Sequence, residues 1–356
     1  MQNLQHILNN IKAPSTEHAK AAEVYLDGLT KPVGSLGKLE EIYYRLCSIQ
    51  SSQKLKLDKK VVIIMCSDNG VCDEGISECP QEVTATVTYN FTRGITGINR
   101  MSHFCHSDIY IVDIGVKGKL EHPLIAQKKV RESTGNMTKE VAMTRSEVIQ
   151  AIEVGIEAVK EHVEKGYEIF GTGEMGIGNT TTSSAVLSVL LDQEIEEVVG
   201  KGAGAKEETF KRKVEAIKSA IHLHNPNKED VIDVLSKVGG LDLAGLCGVY
   251  LGASYYQKPV VIDGFIAAVA ALCAYRLNPL VGEYLFPSHL SEEKGMHLVM
   301  DELKLKPYFE LGMRLGEGTG CPITFQLMDM AHSVLTTMGT FEEANIEKED
   351  YMDVWK

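Results

Sequence analysis

Five short runs of apolar and β-branched residues, VVIIMC (61–66), DIYIVDIGV (108–116), YEIFG (167–171), KPVVIDG (258–264) and EYLFPS (283–288), recur with helical-period stretches between them. Nearly continuous apolar runs suit strands buried on both faces, and the stretches between them are long enough to be the crossovers that parallel strands need. The helical patterns cover 83–103, 145–164, 181–192, 207–224, 241–256 and 264–277. The alternation predicts an α/β fold, a parallel sheet covered by helices on both faces. Before about residue 59 and after about residue 304 the patterns are helical without strands, at 16–29, 38–50 and 324–339. The expected organisation is a large α/β unit over 60–303 and a small helical unit built from 1–59 together with 304–356.

Parallel sheets bind ligands beyond the carboxyl ends of their strands. Each candidate strand ends in a loop of small, polar or glycine residues: CSDNGV, VDIGV, GTGEMGIGNTTT, IDGF and PSHLSEEKG. Asp or Glu beside Gly, repeated in this way, reads either as one rim built around a ligand or as tight turns and helix caps. Composition narrows the ligand. Lys and Arg number 36 against 49 Asp and Glu, a formal net charge of −13, and the densest basic cluster, Lys211-Arg212-Lys213, is flanked by acids. Nucleic acid and anionic lipid are disfavoured by such a surface, so a small molecule is expected. No run of about 18 apolar residues is long enough to cross a membrane, and the N-terminus lacks a signal-peptide layout, so the expected location is cytoplasmic. Eight scattered cysteines fit reduced thiols. The pairs His103/His106 and His222/His224 lack partners at metal spacing, so a site without metal or cofactor is expected.

The stretch GTGEMGIGNTTTSSA (171–185) sets Glu174 among glycines ahead of a run of hydroxyls. Glycines let a backbone approach a ligand, and a helix start over Thr180 to Ser183 offers unpaired N–H groups to a phosphate. The spacing is neither a P-loop nor the dinucleotide fingerprint, and a capped helix after a flexible turn fits the same residues. A second cluster, GKGAG (200–204), precedes the helical pattern that carries Lys211 to Lys213, which reads as a phosphate-neutralising cation or as a solvated face. LGEGTG (315–320) again flanks a carboxylate with glycine. Glu317 is either a surface turn residue or a side chain aimed into a cleft, where burial would raise its pKa toward that of a general base.

Six stretches in order, KPVGSLGKLE (31–40), GEMGIGNTT (173–181), VLSKVGGLDLAGLCG (234–248), DGFIAA (263–268), SHLSEEKG (288–295) and RLGEGTG (314–320), resemble the nicotinate-nucleotide:dimethylbenzimidazole phosphoribosyltransferase family. The likeness runs from about residue 25 to 341. It implies a Rossmann-like sheet with a small helical domain from both chain ends, in a homodimer. It also implies an activity: transfer of the phosphoribosyl group of nicotinate mononucleotide, with inversion, to 5,6-dimethylbenzimidazole or a related base. The product, α-ribazole 5′-phosphate, serves cobalamin nucleotide-loop assembly. By resemblance Glu317 is the general base and Glu174 a second carboxylate over the base pocket. Gly176, Gly178, Asn179, Thr180, Gly202, Gly204, Lys213 and Ser291 correspond to the parts holding the nucleotide, with Asp242 and Asp263 near the ribose. Cys79, Pro80, Val87 and Leu315 correspond to the wall around the base. This chain departs from the family pattern at Asn69, where a His is usual, and at Cys79 and Val87, where some members place Ser and Gln. Those departures leave the accepted base open. Two other readings are a phosphoribosyltransferase with a purine or phenolic acceptor, and a non-catalytic nucleotide sensor.

Overall fold

A computed structural model of the chain describes residues 3–200 and 206–347. Six parallel strands form one sheet: β1 Lys60–Ser67, β2 Asp108–Gly115, β3 Ile125–Gln127, β4 Ile169–Met175, β5 Val260–Ile262 and β6 Leu285–Pro287. Their spatial order is β3-β2-β1-β4-β5-β6. Strand order therefore reverses between β1 and β4, and a crevice opens beyond the carboxyl ends at that point. Register places Cys66 of β1 opposite Met175 of β4 and Asp113 of β2, so the loops that follow β1 and β4 start side by side.

Local chemistry explains most boundaries. All eight residues of β1 are buried, as its Val and Ile content requires of a central strand. The helix Arg145–Glu164 spans the expected 145–164 because Thr144 and Glu147 form a capping box: the Thr144 hydroxyl accepts from the Glu147 N–H, and Glu147 Oε2 accepts from the Thr144 N–H at 2.7 Å. Glu207–His224 also matches its pattern, while Leu241–Tyr255 is apolar on all sides because it packs between the sheet and Arg145–Glu164.

Several expectations are corrected. The pattern at 83–103 is two helices, Val83–Thr92 and Gly97–Phe104, separated at Gly94 (φ 71°) and restarted by the Thr96–Asn99 capping box. The strand after residue 167 runs on through Gly171-Thr172-Gly173-Glu174-Met175, which the glycines had marked as loop. A Cβ on Gly173 would stand 2.6 Å from the Glu317 carbonyl oxygen, so glycine here admits another stretch of backbone rather than a ligand. The helix expected at 181–192 is Asn179–Leu191, and the first two residues of 283–288 belong to the 3₁₀ turn Pro279–Tyr284 ahead of a three-residue β6. Strand β3 and the helices Val231–Val238 and Met296–Glu302 had no counterpart in the sequence pattern.

Besides the main core, Ala22, Leu26, Leu29, Tyr43, Cys47 and Leu335 form a separate small one. They come from Thr16–Leu26, the turn after it, Lys38–Gln50 and the far end of Gly320–Thr337. The near end of that last helix, with Cys321 and Phe325, belongs to the main core, so it ties the two together.

Candidate active site

Beyond β4, β5 and β6 lies a cavity of about 350 Å³. Glu174 to Thr180 form one wall, Asp263 to Ala267 the second, His289, Ser291 and Glu293 the third, and Arg314 to Glu317 the roof; Ser77, Cys79 and Val87 close the side toward β1. A more open surface groove beside Asp192 and Arg276 has both its cations already paired, Lys228 to Asp192 at 3.0 Å and Arg276 to Glu302 at 2.7 Å.

Glu174 is the next-to-last residue of β4, and Gly178 (φ 89°) turns the chain into the helix Asn179–Leu191. The Asn179 amide donates to Glu174 Oε2 and, at 3.0 Å, to Asp242 Oδ2. One amide thus holds two buried carboxylates together. Burial first, and the Asp242 charge second, push the Glu174 pKa up to about 8, with the Asn179 bond acting in the opposite direction. Burial likewise raises Asp242 to about 6.

Glu317 has φ 61° between Gly316 (φ 80°) and Gly318 (φ 89°), three successive left-handed residues. The turn is held from below: Asp263 accepts from the Gly318 N–H at 3.0 Å and from the Gly320 N–H at 2.6 Å, where the helix Gly320–Thr337 begins. Burial raises Asp263 to about 7 even so. The Glu317 carboxylate reaches the start of Gly97–Phe104, where Oε2 accepts from the Ile98 N–H at 3.3 Å. Burial raises its pKa, and the Ile98 and Gly97 N–H groups oppose that rise. Strain at a non-glycine residue in this region persists only where surroundings over-determine it, and it clusters at functional sites.

Lys213, on Glu207–His224, is buried behind Thr180 and donates to its hydroxyl at 2.8 Å. Burial lowers its pKa to about 8 against the opposing pull of Glu293.

Of the residues singled out from sequence, Glu174, Glu317, Gly176, Gly178, Asn179, Thr180, Asp263, Ser291, Cys79, Val87 and Leu315 line this one cavity. Lys213 stands behind Thr180 and Asp242 behind Asn179, each one hydrogen bond from the wall. Pro80 lines an adjoining shallow groove with Cys79. Gly202 and Gly204 lie outside the described residues. Thr181, Thr182 and Ser183 are buried inside their helix and do not line the cavity, so only Thr180 of that hydroxyl run lines it. Asn69 is buried too; its amide donates to the Ile177 carbonyl at 3.3 Å and ties the β1 loop to the β4 loop. Sequence reasoning missed His289, Glu293, Phe265 and Arg314 as lining residues. Arg314 is the only Lys or Arg among the described lining residues, and its signal was its place directly ahead of LGEGTG. No group of three or more His, Cys, Asp or Glu among the described residues is placed to hold a metal ion, and no described helix is long and apolar enough to cross a membrane.

Comparison with known proteins joins this geometry to a family. A family model described as phosphoribosyltransferase matches residues 11–346. A nicotinate-nucleotide–dimethylbenzimidazole phosphoribosyltransferase of Clostridium tetani is 48% identical over 352 residues, 99% of this chain and 97% of that protein. The protein of the same name from Acetivibrio thermocellus is 53% identical over 323 residues, 91% of this chain and 92% of that one. The solved structure of CobT from Thermus thermophilus superposes with a TM-score of 0.88 at 37% identity, covering 93% of this chain and 99% of that one.

Proposed function

The chain belongs to the nicotinate-nucleotide–dimethylbenzimidazole phosphoribosyltransferase family, and from that membership we propose how its cavity carries out the transfer. The reaction moves the phosphoribosyl group of nicotinate mononucleotide to 5,6-dimethylbenzimidazole for cobalamin assembly; a different acceptor class or an idle sensor is not favoured by these relatives. The donor phosphate takes the Thr180 end, where a helix N-terminus, a hydroxyl and the Lys213 ammonium converge. Gly176, Gly178 and Asn179 border the ribose with Asp263, and Ser291 lies on the facing wall. Asp242 acts through Asn179, by holding its amide. Gly202 and Gly204 join the phosphate end by resemblance alone. The acceptor ring lies between Cys79, Val87 and Leu315, over Glu174, with Pro80 supporting that rim.

One benzimidazole nitrogen attacks C1′ on the face opposite the pyridinium. The C1′–N bond to nicotinate breaks with its electron pair going to the ring nitrogen, so the leaving ring is neutral at that atom and the anomeric configuration inverts. The other ring N–H gives its proton to Glu317. Glu317 suits that role because burial raises its basicity, while hydrogen bonds from the Gly97 and Ile98 N–H groups favour its anionic form. Burial and the Asp242 charge raise Glu174, which favours its protonated form and so lessens its competition for the proton.

A single observation carries this reading: both glycine-flanked carboxylates line the cavity that also reaches the Lys213–Thr180 pair. Its test is incubation with nicotinate mononucleotide and 5,6-dimethylbenzimidazole. Nicotinate release with a product of the mass of α-ribazole 5′-phosphate is expected, and absence of both overturns the reading.

The same proposal includes a cytoplasmic homodimer, checked by a solution mass of twice the 39.1 kDa chain. It also includes a small helical unit of 1–59 with 304–356 beside the large unit of 60–303, supported by the separate core around Tyr43 and Leu335.

A further inference from the structure

His289 is 2% exposed and sits in the loop after β6, with its ring stacked on Phe309 at a centroid distance of 6.0 Å. Its hydrogen-bonding state follows from counting protons. The Ser288 hydroxyl donates its one proton to the Asp263 carbonyl oxygen at 2.9 Å. Toward His289 Nδ1, 3.0 Å away, the same oxygen can therefore only accept, and Nδ1 must carry the hydrogen. In a neutral imidazole that leaves Nε2 as a bare acceptor. Neutrality is independently favoured, since burial lowers the His289 pKa to about 4.

Nε2 has no hydrogen-bond partner among the described residues, yet it is not among the sealed polar atoms, and His289 lines the cavity. A methyl group on Gly264 would stand 3.7 Å from Nε2 and 3.8 Å from the Ser291 hydroxyl, so the imidazole edge and that hydroxyl border the same glycine-floored part of the site. An acceptor that opens into the cavity without a protein donor takes its hydrogen from water until a ligand replaces that water with a donor of its own. Ser291 and Glu293 share this wall, and the Asp263 carboxylate oxygens on the adjoining wall are already engaged by the Gly318 and Gly320 N–H groups.

We propose that His289 Nε2 accepts a hydrogen bond from a ribose hydroxyl of the donor nucleotide, making the site selective for ribo- over deoxyribonucleotides. The inference rests on the reading of the cavity as a nicotinate mononucleotide site and adds the group that recognises the sugar. A phosphate or a nicotinate carboxylate has no proton to offer at neutral pH, and among the donor's groups only the 2′- and 3′-hydroxyls do. Nε2 orients the ribose, and the transfer itself proceeds on C1′ without a proton passing to His289.

Calorimetric titration of the full chain with nicotinate mononucleotide and its 2′-deoxy and 3′-deoxy forms, without acceptor base, reads binding apart from chemistry. The wild-type chain is expected to bind one of the two deoxy forms roughly 3- to 10-fold more weakly, the range for one hydrogen bond between neutral groups. His289→Phe keeps the stack on Phe309 and is expected to bind the parent nucleotide as weakly as wild type binds that deoxy form, with no further loss on the deoxy form. His289→Gln, whose Oε1 can take the place of Nε2, restores much of the discrimination. Equal binding of all three nucleotides by the wild-type chain overturns the proposal while leaving the cavity's assignment intact, and needs no variant that folds. Undiminished discrimination in a folded His289→Phe chain overturns it as well. Failure of the parent nucleotide to bind at all removes both the assignment and the inference built on it.

Discussion

Gly173→Ala displaces Glu317 without touching a side chain of the site. The new methyl carbon would lie 2.6 Å from the Glu317 carbonyl oxygen, 2.9 Å from its carbonyl carbon and 3.0 Å from the Gly318 nitrogen. All three are backbone atoms, so no flexible side chain can swing away. Ordinary contact begins at 3.4 Å, so the loop must retreat by about 0.8 Å or β4 must bend. Retreat is resisted by the hydrogen bonds that tie Gly318 and Gly320 to Asp263. Overpacking of this kind costs about 1–3 kcal/mol of stability. A misplacement near 1 Å of a catalytic group can lower turnover about 100-fold. Steady-state nicotinate release, fitted for kcat and for donor KM, is the assay, with thermal unfolding as the control. A kcat lowered by about two orders of magnitude, a donor KM within a few-fold of wild type and a modest fall in Tm are expected. A folded variant with undiminished kcat would refute the claim that the contact of β4 with the LGEGTG turn places the base.

Glu317→Gln keeps an oxygen for the Ile98 N–H but loses the proton acceptor, so kcat falls about 10²–10⁴-fold while donor affinity and Tm hold, as measured by the same assays. Since the Lys213 ammonium is lost near pH 8, kcat/KM for the donor should decline as pH rises through that value, and Lys213→Arg should move the decline upward. Glu174 is raised in the folded chain, which therefore retains a proton that the unfolded chain has already released. Unfolding free energy falls as pH climbs from the usual carboxylate range to about 8, and Glu174→Gln should flatten that slope in denaturant titrations. With Cys79 and Val87 on the wall, a mixture of differently substituted benzimidazoles should yield more than one ribosylated product by mass; strict use of 5,6-dimethylbenzimidazole would show a tighter pocket.

Elements with strong periodicity and a local boundary signal were legible in the sequence, as β1 and the Thr144-capped helix illustrate. β3 was not, because three residues at a sheet edge carry too little pattern. β4 hid its second half behind glycines whose reasons are the approach of residues 317 and 318 to Gly173 and of Cys321 and Phe325 to Gly171, contacts between segments more than a hundred residues apart. At the site, a carboxylate between glycines twice marked a cavity residue, Glu174 and Glu317. Which hydroxyl of Thr180 to Ser183 faces the cavity depends on helix phase against the core, and the sequence did not separate Thr180 from its buried neighbours. His289 escaped notice because its meaning lies in a proton count through Ser288 and the Asp263 carbonyl, which needs coordinates.

Crystals of the Glu317→Gln chain soaked with nicotinate mononucleotide and 5,6-dimethylbenzimidazole would hold both substrates before reaction. The ring N–H distant from C1′ should lie about 2.6–3.2 Å from the residue 317 side-chain oxygen, with the phosphate at Thr180 and Lys213. A base whose N–H instead meets Glu174 or open solvent would contradict the assignment of Glu317 as the proton acceptor.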